Sequence, residues 1–223
     1  AVRQRREGVP VKLPLFIAGF IVLQALFGMW TVTLQLWPKV VALHLLGGFT
    51  TLSLLTLLFL RLRGRRKAIE PARHHAVARL RPWLYGGLAL VILQIALGAW
   101  TAANYAAVAC PDLPTCQGHW WPENMDFRHG FDLLQTIGPN YLGGQLTADG
   151  RVAIHVTHRL GAVIVLVYFT VLLLALWRQT RHSPARSMVI LTAAALFLQV
   201  GLGVANVALH IPLSVAVAHN AMG

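Results

Sequence analysis

The chain has 223 residues, of which 57% are hydrophobic and only 12% charged, with 19 Lys and Arg against 7 Asp and Glu. That apolar content excludes a soluble domain, a disordered chain and a collagen-like repeat, and having two cysteines excludes a disulfide-rich miniprotein. The formal net charge of +12 is compatible with nucleic acid, anionic lipid or simple membrane topology, so the positions of the basic residues decide its meaning.

Five apolar stretches, residues 13–36, 40–60, 82–103, 152–177 and 188–209, are each long enough to cross about 30 Å of hydrocarbon as a helix. The first follows a basic segment, as a signal peptide would. It is too long for a signal h-region and lacks a small-residue cleavage site, so it reads as a retained helix. A sixth stretch starts near Pro212 and stops at Gly223, which predicts a chain cut off inside its last helix.

Basic residues orient these spans, because Lys and Arg accumulate in cytoplasmic loops. Residues 1–14 hold four, 61–81 hold eight and 178–187 hold three, together 15 of the 19. Five of the seven acids (Asp112, Glu123, Asp126, Asp132 and Asp149) fall instead in the long connection 104–151. The amino end is therefore expected on the cytoplasmic side of the plasma (inner) membrane and the long loop outside. Strict alternation with apolar spans, and the lack of a basic surface interleaved with aromatics, argue against nucleic acid as a partner.

A repeat runs through the spans. An offset of 175 residues pairs Leu23 with Leu198, Gln24 with Gln199, Gly28 with Gly203, and His44 with His219. The pattern Leu-Gln-x-x-x-Gly occurs a third time at Leu93, Gln94 and Gly98. Duplicated helix hairpins account for three copies; close helix packing through small residues is the alternative that needs no function. The expected fold is an all-α integral membrane protein, a transmembrane bundle of duplicated four-helix units with one unit incomplete. Residues 1–81 form the second hairpin of the amino-terminal unit, and 82–223 form the carboxyl-terminal unit with its outer loop. Two helices are expected to be missing before Ala1.

Ionisable groups inside a span are costly, which makes them functional candidates. His44, His158 and His219 each lie four to seven residues in from the expected outer end of a helix, at a common depth of roughly 6–11 Å. Neutral imidazoles on facing helices suit haem iron or another transition metal. The rival reading is that each bonds a neighbouring helix. His155 lies about one turn outward of His158 and shares its face, so it is a candidate ligand or a partner to a haem propionate. Arg159 is read either as a propionate partner or as a snorkelling cation. His74, His75, His182, His119 and His129 are expected in surface loops, and His210 at the end of the fifth span.

Cys110 and Cys116, in the run CPDLPTC, are expected to form a disulfide on the outer side, since a zinc site would need further ligands. The following His119, Trp120, Trp121 and Pro122, with Phe127 and Phe131, form an amphipathic segment suited to roofing the bundle.

Taken together, the Leu-Gln-x-x-x-Gly spans, CPDLPTC followed by GHWWP, the I-H-x-x-H-R-L-G run from Ile154, A-L-H-L at His44 and A-V-A-H-N-A at His219 resemble the haem A synthase family. The resemblance extends over essentially the whole chain, and the Cys loop followed by HxxHR is its most specific part. It implies eight helices in two pseudo-symmetric halves, of which this chain would cover the third to seventh and the start of the eighth. It also implies that His158 and His219 hold a haem b cofactor. His44 would be half of the pair at the substrate haem, haem O, with its partner upstream of Ala1. The implied activity is stepwise oxidation of the C8 methyl of haem O to a formyl group, giving haem A for terminal oxidases. Haem O synthase, oxidase assembly factors and a second copy of the chain are the partners the resemblance points to. The family's acidic catalytic residue belongs to an outer loop absent from this chain, so none of the five outer acids takes that role. The other readings are a membrane cytochrome b serving as electron carrier or quinol-linked anchor, and a transporter. The transporter is disfavoured by the lack of intramembrane carboxylates and of broken spans.

Overall fold

A computed structural model describes residues 11–63, 78–180 and 185–223. His74, His75 and His182, the first basic run except Lys12 and most of the loop 61–81 lie outside the described residues. Within them the chain is all-α: α1 (Lys12–Thr33), α2 (Pro38–Leu62), α3 (Arg81–Ala103), the short α4 (Phe127–Gly130), α5 (Ala148–Gln179), α6 (Arg186–Ala208) and α7 (Leu213–Met222). Helices α1, α2, α3, α5 and α6 are long and apolar enough to span a membrane. Their outer faces carry Val22, Val32, Leu57, Val171 and Leu191, all exposed. A surface so apolar is stable against lipid and not against water, and the chain is a multi-pass membrane protein.

The helix ends follow local chemistry. Pro38 opens α2 at a position where its missing N–H costs nothing. Thr147 caps α5 by accepting from the Gly150 amide at 3.2 Å, and Asp149 sits in the first turn, where the helix dipole favours an anion. These two residues explain why α5 begins four residues before the expected 152. At 32 residues it is about 48 Å long, so it projects well beyond the hydrocarbon. Threonines within the spans donate to carbonyls one turn back, as Thr101 does to Leu97 at 2.8 Å and Thr51 to Gly47 at 2.8 Å, which satisfies them without water.

The described chain divides into two compact units. In the first, α1 and α2 pack as a hairpin, joined by the loop segment 133–143. That segment is held by the Tyr141 amide donating to the Gln35 carbonyl at 3.0 Å and by Trp37 Nε1 donating to the Gln135 carbonyl at 3.2 Å. In the second, α3 packs on α5, α5 on α6 and α6 on α7, with α4 laid against α5.

The offset-175 repeat is visible in backbone bonds. Helix α1 ends with the amides of Gln35 and Leu36 donating to the carbonyls of Val32 and Thr31, and α6 ends with His210 and Ile211 donating to Val207 and Asn206. Both are Schellman ends, with the residue after the C-cap left-handed, φ 49° at Gln35 and 57° at His210. Tyr105, at φ 54°, closes α3 in the same conformation. None of the three is glycine, so each end carries modest backbone strain that the packing must maintain.

Candidate functional site

Each helix that carries Leu-Gln-x-x-x-Gly ends nine residues after its glutamine: Gln24 in α1, Gln94 in α3 and Gln199 in α6. The three glutamines therefore sit about 14 Å from their helix ends. Each reaches a histidine on the following long or terminal helix. Gln24 Nε2 lies 3.1 Å from His44 Nδ1 and donates to the His44 carbonyl at 2.5 Å. Gln94 Nε2 lies 3.1 Å from His158 Nδ1 and donates to the His158 carbonyl at 3.0 Å. Gln199 Nε2 donates to the His219 carbonyl at 3.0 Å. Counted from their own helix starts, His44 and His219 stand six residues in and His158 ten, because α5 begins at 148.

The glycine of the motif seats the imidazole. A Cβ at Gly28 would stand 3.0 Å from His44 Cε1, one at Gly98 3.1 Å from His158 Cε1, and one at Gly203 3.1 Å from His219 Cε1. Reciprocally, Gly47 and Gly161, three residues after His44 and His158, leave room for the glutamine amides, because a Cβ there would collide with Oε1 of Gln24 or Gln94. Each pair is thus a cassette: glutamine and glycine on one helix, histidine on the next, backbones close enough that a methyl group on the seating glycine would crowd the ring. The His-x-x-Gly half went unnoticed in the sequence, although it is legible there at His44–Gly47 and His158–Gly161.

Two cassettes, at His158 and His219, lie in the second unit. The third, at His44, belongs to the first unit. In all three, Nε2 makes no hydrogen bond among the described residues. Nδ1 faces the glutamine Nε2 in the His44 and His158 cassettes and has no partner among the described residues in the His219 cassette. Three ring nitrogens lacking a partner among the described residues, each backed by an amide and seated on a glycine, are of the right chemistry to hold a haem iron. Among the described residues no three His, Cys, Asp or Glu side chains converge, which is the arrangement a zinc-type site would require.

His155 and Arg159 flank His158 but are placed differently. His155 is buried and its ring engages the Ala106 backbone, in the 3-10 turn after α3 (Ala106–Val108), while its Nδ1 has no partner among the described residues. Arg159 turns to the cysteine loop, donating from Nη1 to the Thr115 carbonyl at 2.7 Å and from Nη2 to the Cys110 carbonyl at 2.8 Å.

Cys110 and Cys116 form the expected disulfide, with Cα atoms 4.6 Å apart and both side chains buried against Val152 and Val156 of α5. Asp112 organises the ring it closes, accepting from the Thr115 hydroxyl, the Gln117 amide at 2.6 Å and the Gly118 amide at 2.9 Å. The Thr115 hydroxyl first and the Gly118 amide next hold its carboxyl well below the usual range, at about 2. The backbones of Cys116 and His119 pair reciprocally at 2.9 and 3.1 Å, and Trp120 and Trp121 follow as exposed aromatics. Asp126 caps α4 and also binds the His129 ring, whose amide and imidazole lower the Asp126 carboxyl. The loop closes on α3 and α5: Trp100 Nε1 donates to the Gly130 carbonyl at 2.8 Å, and a Cβ at Gly130 would lie 2.6 Å from the Gly150 carbonyl oxygen.

All 223 residues match the model of the COX15-CtaA family, described as cytochrome oxidase assembly protein. A protein named Heme A synthase from Shewanella oneidensis is 44% identical over 211 residues, 95% of this chain and 62% of its own length. Proteins of the same name from Methylorubrum extorquens and from the Wolbachia of Brugia malayi are 32% and 27% identical, over 82% and 97% of this chain and 44% and 60% of their own lengths. The chain thus spans about six-tenths or less of these relatives. No solved structure matches it. The matched family model covers every cassette and the cysteine loop, and the chain belongs to the COX15-CtaA family of cytochrome oxidase assembly proteins.

Proposed function

We propose that this chain is the haem-binding part of a haem A synthase, an oxidoreductase that converts the C8 methyl of haem O to the formyl of haem A for a terminal oxidase. The observation that carries this reading is the pair of matching cassettes in one unit, at His158 and His219, in a chain that matches the oxidase-assembly family along its whole length. In it, His158 and His219 would hold haem b, and His44, seated alike in the first unit, would face the substrate haem. Bound there, haem b would supply one-electron redox chemistry.

The chain's own residues do the rest. Gly98 and Gly203 fix where the rings stand, and Gln94 and Gln199 hold the backbone behind them. The apolar spans keep water from the site. The disulfide loop, tied down by Arg159, packs on Val152 and Val156 of α5, in the turns before His158. The excess of basic residues in 1–14, 61–81 and 178–187 supports an orientation in which the amino end is cytoplasmic and the cysteine loop outside.

The test is chemical. In cells from which the gene is deleted, haems extracted and separated by chromatography are expected to show haem O where haem A was. Unchanged haem A eliminates the proposal.

A further inference from the structure

Between Cys116 and Met125 the cysteine loop makes a short excursion that is anchored at both ends. Cys116 and Met125 belong to one apolar cluster with Val152 and Val156 of α5, and the Asp126 amide donates to the Asp149 carbonyl at 3.2 Å. On this excursion Trp120 and Trp121 are 78% and 59% exposed, while Pro122, next in the chain, is buried. Two adjacent indoles held out by a fixed turn form an apolar surface with polar N–H groups, which suits a boundary between water and oil better than bulk water.

Helix α5 gives the height of that turn. From Gly150 to Arg159 none of its residues is exposed, whereas Leu160, Val163, Val167, Val171 and Trp177 all are. The exposed apolar stretch from Leu160 to Trp177 is about 26 Å long, close to the roughly 30 Å of the hydrocarbon layer. The hydrocarbon therefore ends within about a turn of Leu160. Val156 and Val152, on which the loop is anchored, stand about 6 and 12 Å beyond Leu160, at the level of the lipid headgroups. The indoles thus adjoin the upper edge of the lipid-facing surface of α5.

We propose that Trp120 and Trp121 dock the cysteine loop into the boundary between headgroups and acyl chains of the adjoining leaflet. The partner is the lipid itself, recognised by indole and not by charge. Residues 104–132 hold four acids (Asp112, Glu123, Asp126 and Asp132) and one Arg, a balance that anionic headgroups would repel. Indoles prefer this layer because the ring is apolar and its N–H finds an acceptor there. The loop is then held on two sides, by Arg159 and the α5 valines within the protein and by lipid at the tryptophans. This docking is independent of haem ligation.

The experiment is tryptophan fluorescence of the protein purified from membranes and reconstituted into phosphatidylcholine vesicles. The chain has seven tryptophans, so the signal of the pair is read as the difference between the parent and a variant carrying Trp120→Phe and Trp121→Phe. That difference is expected to be quenched more by lipids brominated near the headgroup than by lipids brominated deep in the chain. It is also expected to be shielded from iodide in the water, and to be the same when phosphatidylglycerol is added. Quenching by iodide with no response to brominated lipid would place the indoles in water and overturn the proposal. Shielding from both quenchers would mean that a protein surface, such as a second copy of the chain, covers them, and would overturn it equally. So would a lipid response that appears only with phosphatidylglycerol. Should the double variant fail to accumulate, each single replacement read against the parent gives the same comparison.

Discussion

The α6–α7 and α3–α5 pairs share the glutamine bond to the histidine carbonyl and the glycine under the ring, yet four residues connect one pair and forty-four connect the other. In the short connection, Gln199 and His219 are 20 residues apart; in the long one, Gln94 and His158 are 64 apart. The glutamine, the seating glycine and the bond to the histidine carbonyl are common to both. Loop length therefore does not set the placing of the histidine, which is a property of two helices in register. What the long connection adds is a roof: the disulfide, the Asp112 turn, His155 under the backbone of Ala106, and Arg159 bound to two loop carbonyls. One pair is a bare glutamine–histidine cassette, and the other is the same cassette with a loop built onto it.

The comparison breaks most severely if the roof and the cassette are not separable. Arg159→Met removes two bonds from a charged donor and leaves both carbonyls without it, a loss of roughly 3 kcal/mol in loop stability. Limited proteolysis is expected to cut residues 104–126 much faster in this variant. The His219 cassette stays intact, and unchanged cleavage would show that the latch carries no stability. A smaller effect is expected from replacing Cys110 and Cys116 together by Ser. Releasing so short a ring costs about 2 kcal/mol on the chain-entropy account. Thermal unfolding followed by tryptophan fluorescence should fall accordingly, and a melting temperature equal to the parent's would refute it.

Much of this organisation is legible in the sequence, and the missing parts share a cause. The spans fall within a few residues of the apolar stretches because an unbroken apolar run has few other fates in a membrane. His44, His158, His219 and the glutamines stand out because polar residues in such runs are costly. Their pairing is hidden, because Gln94 meets His158 across 64 residues and only the register of α3 on α5 decides it. The bonds of Arg159 are hidden too. Its partners are backbone carbonyls, which every residue possesses and no side-chain pattern reveals. The segment 133–143, read as part of the outer loop, packs with the α1–α2 hairpin through the Gln35 carbonyl and the Trp37 ring, again through backbone groups.

The mildest prediction concerns acid. The folded Asp112 carboxyl lies at about 2, below the ordinary carboxylate value of 3.8. Its contribution is therefore present above that ordinary value and is lost as pH falls from there through about 2. Amide hydrogen exchange at Gln117 and Gly118 should be protected from neutral pH to about pH 4 and lose protection only toward pH 2. Loss of protection already at pH 5 would mean that the carboxylate does not hold the turn.

The central claim is that His158 and His219 are the ligands of one haem. Visible absorption and magnetic circular dichroism of the protein purified from membranes test it most directly. The parent is expected to give a low-spin, bis-histidine haem b signature. His158→Ala and His219→Ala are each expected to lose that signature, while Arg159→Met keeps it. Retention of the low-spin spectrum in both histidine variants would contradict the account.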